Sequence, residues 1–228
     1  MDEGYFYITR YWIAPAGEGR VLGWLDGGHT AEVASQPGFL AARRIRLEEV
    51  DALGWRAFTT IYQTEAKSAV ETYLKSAARA RFAREQQAFT DVLRAERSWG
   101  AGEYRTQRGQ RGPLDAPYFH IVRFWTAPAA EVPVLEWLDG KHAAELVARP
   151  DHLSAQRIRL DETDALGWHA FYALYGLESK AALDAYLKNP VRERFAREQA
   201  PFAGSIRIER SRGAAEFAAP HRALSRAG

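Results

Sequence analysis

Trp24-Leu25-Asp26-Gly27-Gly28-His29 returns as Trp137-Leu138-Asp139-Gly140-Lys141-His142, and this repetition decides the fold. Self-similarity has to be recognised before any element is assigned, because a missed repeat misreads the whole architecture. The match runs outward in both directions without a gap. Tyr5-Phe6 aligns with Tyr118-Phe119, Arg44-Ile45-Arg46-Leu47 with Arg157-Ile158-Arg159-Leu160, and Phe82-Ala83-Arg84-Glu85-Gln86 with Phe195-Ala196-Arg197-Glu198-Gln199. Roughly half the paired positions are identical over about 100 residues, more than shared composition produces. The chain is a tandem duplication.

Composition narrows the class. The 228 residues divide into two units, each large enough to bury a core, and 46% of them are apolar. Cysteine is absent, which excludes disulfides, thiolate metal sites and a cysteine nucleophile. No stretch reaches the length of a membrane span, and residues 1–20 lack the layout of a signal peptide, so a cytoplasmic protein is expected. A net charge of +2 is too small to point to nucleic acid. There is no Gly-rich phosphate loop, no GxSxG elbow and no HExxH pair, which argues against nucleotide and serine-hydrolase chemistry.

Residues 5–13, YFYITRYWI, are aromatic and β-branched and read as a strand closed by Pro15 and Gly17. Val21, Leu22, Leu25 and Val33 then recur near the helical period, which predicts a helix over 18–35 weakened at Gly27-Gly28. Phe39–Leu47 alternates as a second strand, a turn at Glu49–Asp51 leads to a third over Leu53–Tyr62, and Glu65–Phe89 reads as helix. Asn189-Pro190 predicts a break in the second copy of that helix. Val92–Arg97 closes the unit as a fourth strand. This β-α-β-β-α-β order is the ferredoxin-like motif. The expected layout is repeat 1–100, linker 101–117, repeat 118–213 and a loose tail at 214–228. Two such sheets, each with helices on one face, are expected to bury their bare faces together as an intrachain α/β barrel whose interior takes a small ligand.

The tyrosine-rich first strand, WLDGxH, Pro37-Gly38-Phe39 and Glu178-Ser179-Lys180-Ala181-Ala182-Leu183-Asp184-Ala185-Tyr186-Leu187 make the chain resemble the dimeric α/β barrel superfamily. More narrowly, it looks like DUF4286-type proteins, with likeness to EthD-type domains. The resemblance covers both repeats. It implies the fold more specifically than any reaction, since the superfamily includes cofactor-independent monooxygenases, cyclases, isomerases, haem-binding enzymes and proteins without known activity.

His29 and His142 sit on the duplicated stretch, each flanked three residues away by Asp26 and Glu32, or by Asp139 and Glu145. On a helix these share a flank, which suits either acid-base work or an ordinary solvated face. A metal held there would lack a second ligand cluster, so none is expected. Other histidines occur in one half alone: Tyr7 becomes His120, Phe39 becomes His152 and Arg56 becomes His169. One cavity suffices for a duplicated barrel, so this divergence is either specialisation or drift. His120 and His169 fall on neighbouring strands and are expected to pair, with Tyr175 on the alternation of His169.

The recurrent strand arginines, among them Arg10, Arg123 and Arg157, either anchor substrate or close ion-pair networks. The expected reading is a small-molecule enzyme needing no organic cofactor. It would move protons on an apolar, aromatic or polyketide-like compound, as an isomerase, cyclase, lyase or monooxygenase. His120, His169, Tyr175, Arg123, His142 and His29 would carry the chemistry, while Tyr7, Arg10, Trp125, Phe171, Tyr62 and Arg157 would hold the substrate. A non-catalytic binding barrel and a haem protein are the alternatives, and a homodimer stays open.

Overall fold

The computed structural model describes residues 4–219, and the part of the expected tail from 220 onward lies outside them. Residues 4–100, joined by 215–219, make one compact unit, and residues 101–214 make the other. The first contains β1 (Tyr5–Ile13), α1 (Glu18–Trp24), a π-helical turn (Leu25–His29), α2 (Thr30–Ala34), β2 (Phe39–Val50), β3 (Arg56–Thr64), α3 (Lys67–Leu74), α4 (Ala77–Gln86) and the start of β4 (Leu93–Gln107). The second repeats the series as β5 (Tyr118–Thr126), α5 (Glu131–Trp137), a π-helical turn (Leu138–His142), α6 (Ala143–Val147), β6 (His152–Thr163), β7 (His169–Leu177), α7 (Lys180–Leu187), α8 (Val191–Gln199) and β8 (Ile206–Ala219). Within each unit the middle strand pairs antiparallel with two neighbours, β3 with β1 and β2, and β7 with β5 and β6. The strands follow one another as β1-β3-β2-β8-β5-β7-β6-β4 in a closed antiparallel barrel, the ferredoxin-like order taken twice. Among the described residues, no helix is long and apolar enough to cross a membrane.

The segments expected as linker and tail both begin as strand. β4 continues to Gln107 and β8 to Ala219, so only 108–117 remain to connect the repeats. Glycine content suggested a loop, but strand pairing and ion pairs outweigh it. Glu103 on the β4 extension takes both Arg157 and Arg159 of β6, and Glu216 on the β8 extension takes both Arg44 and Arg46 of β2.

Three other boundaries move for local reasons. β3 begins at Arg56 rather than Leu53, because Asp51 Oδ1 accepts from the amides of Leu53 and Trp55 at 2.8 and 2.9 Å and Gly54 takes φ +75°. Asp164 and Gly167 build the same turn in the second repeat. The long helix is split in both repeats, not in one: Ser76 caps α4 by accepting from Arg79 N at 3.0 Å, where Asn189 accepts from Val191 N at 2.9 Å. The WLDGxH stretch is a π turn between two short helices, with φ +138° at Gly28. Such turns carry one extra residue and re-aim the side chains that follow.

A compensated difference between the repeats makes the packing testable. A Cβ built on Gly17 would meet Val92 Cβ at 2.4 Å. The second repeat has Ala130 at that position, and Ser205 where the first has Val92. Gly17→Ala alone is expected to cost about 1–3 kcal/mol by overpacking. Combined with Val92→Ser, much of that loss should return in a urea-unfolding double-mutant cycle; additive losses would refute the compensation.

Candidate active site in the second repeat

A cavity of about 150 Å³ opens in the second unit, walled by β5, β7 and β8 on one side and by α5 to α8 on the other. It therefore lies beneath the helices, not on the opposite sheet face where the barrel interior was expected to hold the ligand. Alternation along β5 decides this. His120, Val122 and Phe124 face the helices, whereas Arg123 and Trp125 belong to the other face. Val122, Phe124, Leu138, Leu183 and Ile208 make much of the wall apolar. The polar lining is His120, His142, His152, Tyr175 and Tyr186, with Arg192 and Arg210.

Register brings His120 opposite Tyr175, with ring centroids 6.1 Å apart. His142 reaches the same tyrosine edge-on at 6.1 Å, stacks on Trp137 at 4.9 Å and meets Phe195 at 4.3 Å. His152 meets Tyr186 edge-on at 5.4 Å. Burial holds His120 and His142 down at a pKa of about 4, and the positive charges of Arg210 and Arg192 press His120 the same way. Both imidazoles are thus neutral at neutral pH. The Nδ1 atoms of His120 and His142 are buried without a hydrogen-bond partner. Burial likewise raises the Tyr175 hydroxyl far above its ordinary pKa, so it stays protonated as a donor.

The equivalent space in the first unit is about 40 Å³. There Tyr7 packs against Tyr62, Tyr73 and Trp99 at 5.8, 5.7 and 6.5 Å, and Phe39 closes on Tyr62 and Tyr73. In the second repeat His120 stands for Tyr7, Arg212 for Trp99 and His152 for Phe39. Loss of that aromatic plug opens the cavity. His29 lines the smaller space, held between Trp24 at 4.1 Å and Phe82 at 4.3 Å, and burial lowers its pKa to about 4.

Several expected placements are corrected. His120 and His169 share a sheet face but not a site: His169 pairs with Thr126, six residues along β7 from Tyr175, about 20 Å at strand rise. His169 bonds instead to Glu131 and lies 3.3 Å from Arg159 in a rim network. Arg123 bonds Glu162 at 2.7 Å and lies over Trp125 and Tyr172, on the face away from the cavity. Arg10 likewise lies over Trp12. Phe171 stacks on Phe124 at 5.0 Å beneath Arg157 and Arg159 and does not line the cavity. Arg157 is taken by Asp139 and Glu103. Tyr7 and Tyr62 belong to the closed first-repeat space.

The carboxylates expected beside His29 and His142 are engaged elsewhere, Asp26 by Arg44, Glu32 by Arg81, Asp139 by Arg157 and Glu145 by Arg194. The π turn swings the imidazoles off that flank and under the helices. Among the described residues no group of three or more His, Asp or Glu side chains could hold a metal ion. Tyr186, Arg192 and Arg210 were missed. Their signal was the repeat itself, since they recur in the first half as Tyr73, Arg79 and Arg97.

No protein-family model matches the chain, and no curated protein sequence matches it. The narrower likeness to DUF4286-type and EthD-type domains therefore gains no support. Solved structures do match over nearly the full length. An anthrone oxidase-like protein superposes with a TM-score of 0.72 at 13% identity, covering 96% of this chain and 95% of that one. A protein assigned as a monooxygenase from Lactobacillus acidophilus NCFM gives 0.62 at 11% identity, with 95% and 96% covered. A chlorite dismutase variant from Candidatus Nitrospira defluvii gives 0.57 at 11% identity, with 95% and 92% covered. At such identities the likeness is one of fold: the chain shares the ferredoxin-like α/β barrel architecture of these proteins.

Proposed function

We propose that this chain is a small-molecule enzyme that moves a proton on a compact, flat, enolisable or phenolic compound bound in the second-repeat cavity. The observation that carries this reading is His120: a neutral imidazole, with a buried unsatisfied Nδ1, lining a mostly apolar cavity beside a protonated Tyr175. A cavity of this order holds about one aromatic ring, as apolar cavities of similar volume do. His120 takes a proton from carbon, and the electron pair moves onto the substrate oxygen. Tyr175, or Tyr186 nearby, donates a hydrogen bond to that oxygen. Alone, an imidazole of pKa about 4 is a weak base. The enolate that forms next to it raises that affinity for the proton, and apolar walls strengthen the interaction by excluding water. Returning the proton at another carbon gives an isomer and restores the imidazole. Dioxygen adding to the same carbanion would give, after protonation, a hydroperoxide that loses water to leave a carbonyl, a monooxygenation of the kind named for the Lactobacillus acidophilus neighbour.

Haem fits this cavity poorly. Ligand sites for larger molecules run to roughly 300–1,000 Å³, and an axial histidine is normally oriented by a partner on its second nitrogen. His142 has no partner at Nδ1 and is packed by Trp137 and Phe195.

The test uses 1-indanone in deuterated buffer. The protein is expected to exchange the α-hydrogens well above the buffer rate, read by proton NMR, and His120→Phe is expected to exchange at the buffer rate. Binding without exchange would leave a ligand-binding barrel in place of an enzyme.

A further inference from the structure

We propose that the ligand of this cavity is an aromatic carboxylate, held at the mouth by Arg210 with help from Arg192. The inference rests on the second-repeat cavity being the substrate site. Its first support is the charge of the wall. The ionisable groups lining the cavity are arginine, histidine and tyrosine, and no aspartate or glutamate lines it. A surface so built favours an anion and repels a cation.

The second support is the contrast between Arg210 and several other strand arginines. Arg44 pairs with Asp26, Arg94 with Asp51, Arg123 with Glu162, Arg157 with Asp139 and Arg207 with Asp164. Among the described residues the Arg210 side chain makes no ion pair and no hydrogen bond. Its counterpart Arg97 is held by Gln86, Nη2 to Oε1 at 2.7 Å. Gln199 occupies the place of Gln86 and lines the same cavity as Arg210, yet the bond is not repeated among the described residues. The second repeat has released the guanidinium that the first ties down.

Position supplies the third support. Arg210 lies opposite Val122 on the β5–β8 ladder, one diagonal step from His120. It also borders the shallow groove formed with Gln199, Ala203 and Ile206 outside the cavity. Arg192 approaches from the start of α8, spending one donor on Leu187 O at 3.2 Å. A guanidinium has five donors in a planar fork that matches a carboxylate. A ring inserted along Val122 and Phe124 would leave its carboxylate at this fork and its reacting carbon toward His120. Desolvation against the cavity wall and the charge of Arg192 weaken its hold on its proton.

Calorimetric titration of the full chain with benzoate and with benzamide separates charge from shape. Benzoate is expected to bind one per chain, at least tenfold tighter than benzamide, and to weaken as salt rises. Arg210→Gln should bring benzoate down to the benzamide level and leave benzamide unchanged; Arg210→Lys should recover part of the difference. Equal affinity for the two ligands overturns the carboxylate while the cavity stands as a binding site. Preferential benzoate binding that survives both Arg210→Gln and Arg192→Gln places the anion elsewhere and overturns the assignment. Binding of neither compound removes the cavity reading along with it. Arg210 is exposed, so its replacement is expected to leave the urea midpoint unchanged, which confirms that the variant folds.

Discussion

Replacing Arg157 by methionine is expected to lower the unfolding free energy by about 3 kcal/mol, at the lower end of what breaking a buried ion pair costs. The side chain is 7% exposed. Its Nε and Nη2 donate to Asp139 at 3.0 and 2.7 Å, its Nη1 reaches Glu103, and its stem and fork lie over Phe171. Methionine preserves much of the apolar contact but leaves two carboxylates facing each other without a cation. They are partly solvated, at 21% and 30% exposure, which is why the lower end of the range applies. Arg44, the counterpart, pairs with an Asp26 that is half exposed. Arg44→Met should therefore cost less, about 1–2 kcal/mol. Urea unfolding at constant m measures both. The sharper readout is the cycle of Arg157→Met with Glu103→Gln. Coupling between them shows that residue 103, in a segment that reads as linker, is part of the folded unit. An unchanged midpoint for Arg157→Met, or strict additivity, would remove that conclusion.

Legibility of the fold and of the site parted company at register. The duplication, the alternation in YFYITRYWI and the turn residues were sufficient to order strands and helices, because each rests on a local period or a repeated word. Local signals do not say how far one strand slides along another. His120 and His169 were rightly placed on adjacent strands and on one face, yet the ladder sets His120 against Tyr175 and leaves His169 at the rim. Nor does alternation say which face the helices cover, so the cavity was assigned to the opposite side of the sheet and Arg123 to the chemistry. The π turn was hidden for a related reason. One extra residue in a turn leaves the apolar spacing of Leu25 and Val33 almost unchanged while rotating the histidine away from Asp26 and Glu32. The asymmetry between repeats was the most informative site signal. Tyr7 against His120 and Phe39 against His152 mark where the plug was lost, although only packing shows that these changes open one space.

Acid should destabilise this protein earlier than carboxylate protonation alone would. His29, His120 and His142 are each lowered to a pKa of about 4 from an ordinary 6.5, burial being the main cause in every case. Between those two values the unfolded chain binds protons that the folded chain refuses. Stability therefore rises with pH across the window, is full above about 6.5, and is lost as pH falls toward 4. Each imidazole contributes at most about 3 kcal/mol, so three together threaten much of a typical domain's stability. The lowered carboxylates Asp51, Asp164 and Glu131 act in the same direction only below their ordinary range, so they add little at pH 5 to 6. Urea midpoints measured from pH 7.5 to 4.5 should fall steeply below 6.5. His29→Phe offers the cleanest dissection, since its ring sits between Trp24 and Phe82 and lies outside the second-repeat cavity. The variant should keep its stability at pH 7.5 within about 1 kcal/mol and show a shallower pH dependence. Imidazole resonances titrating near 6.5, or an identical slope in the variant, would show that these histidines are hydrated and that the cavity around His120 is wetter than its apolar walls imply. That result would also weaken the case for proton transfer there, because the neutral imidazole depends on the same burial.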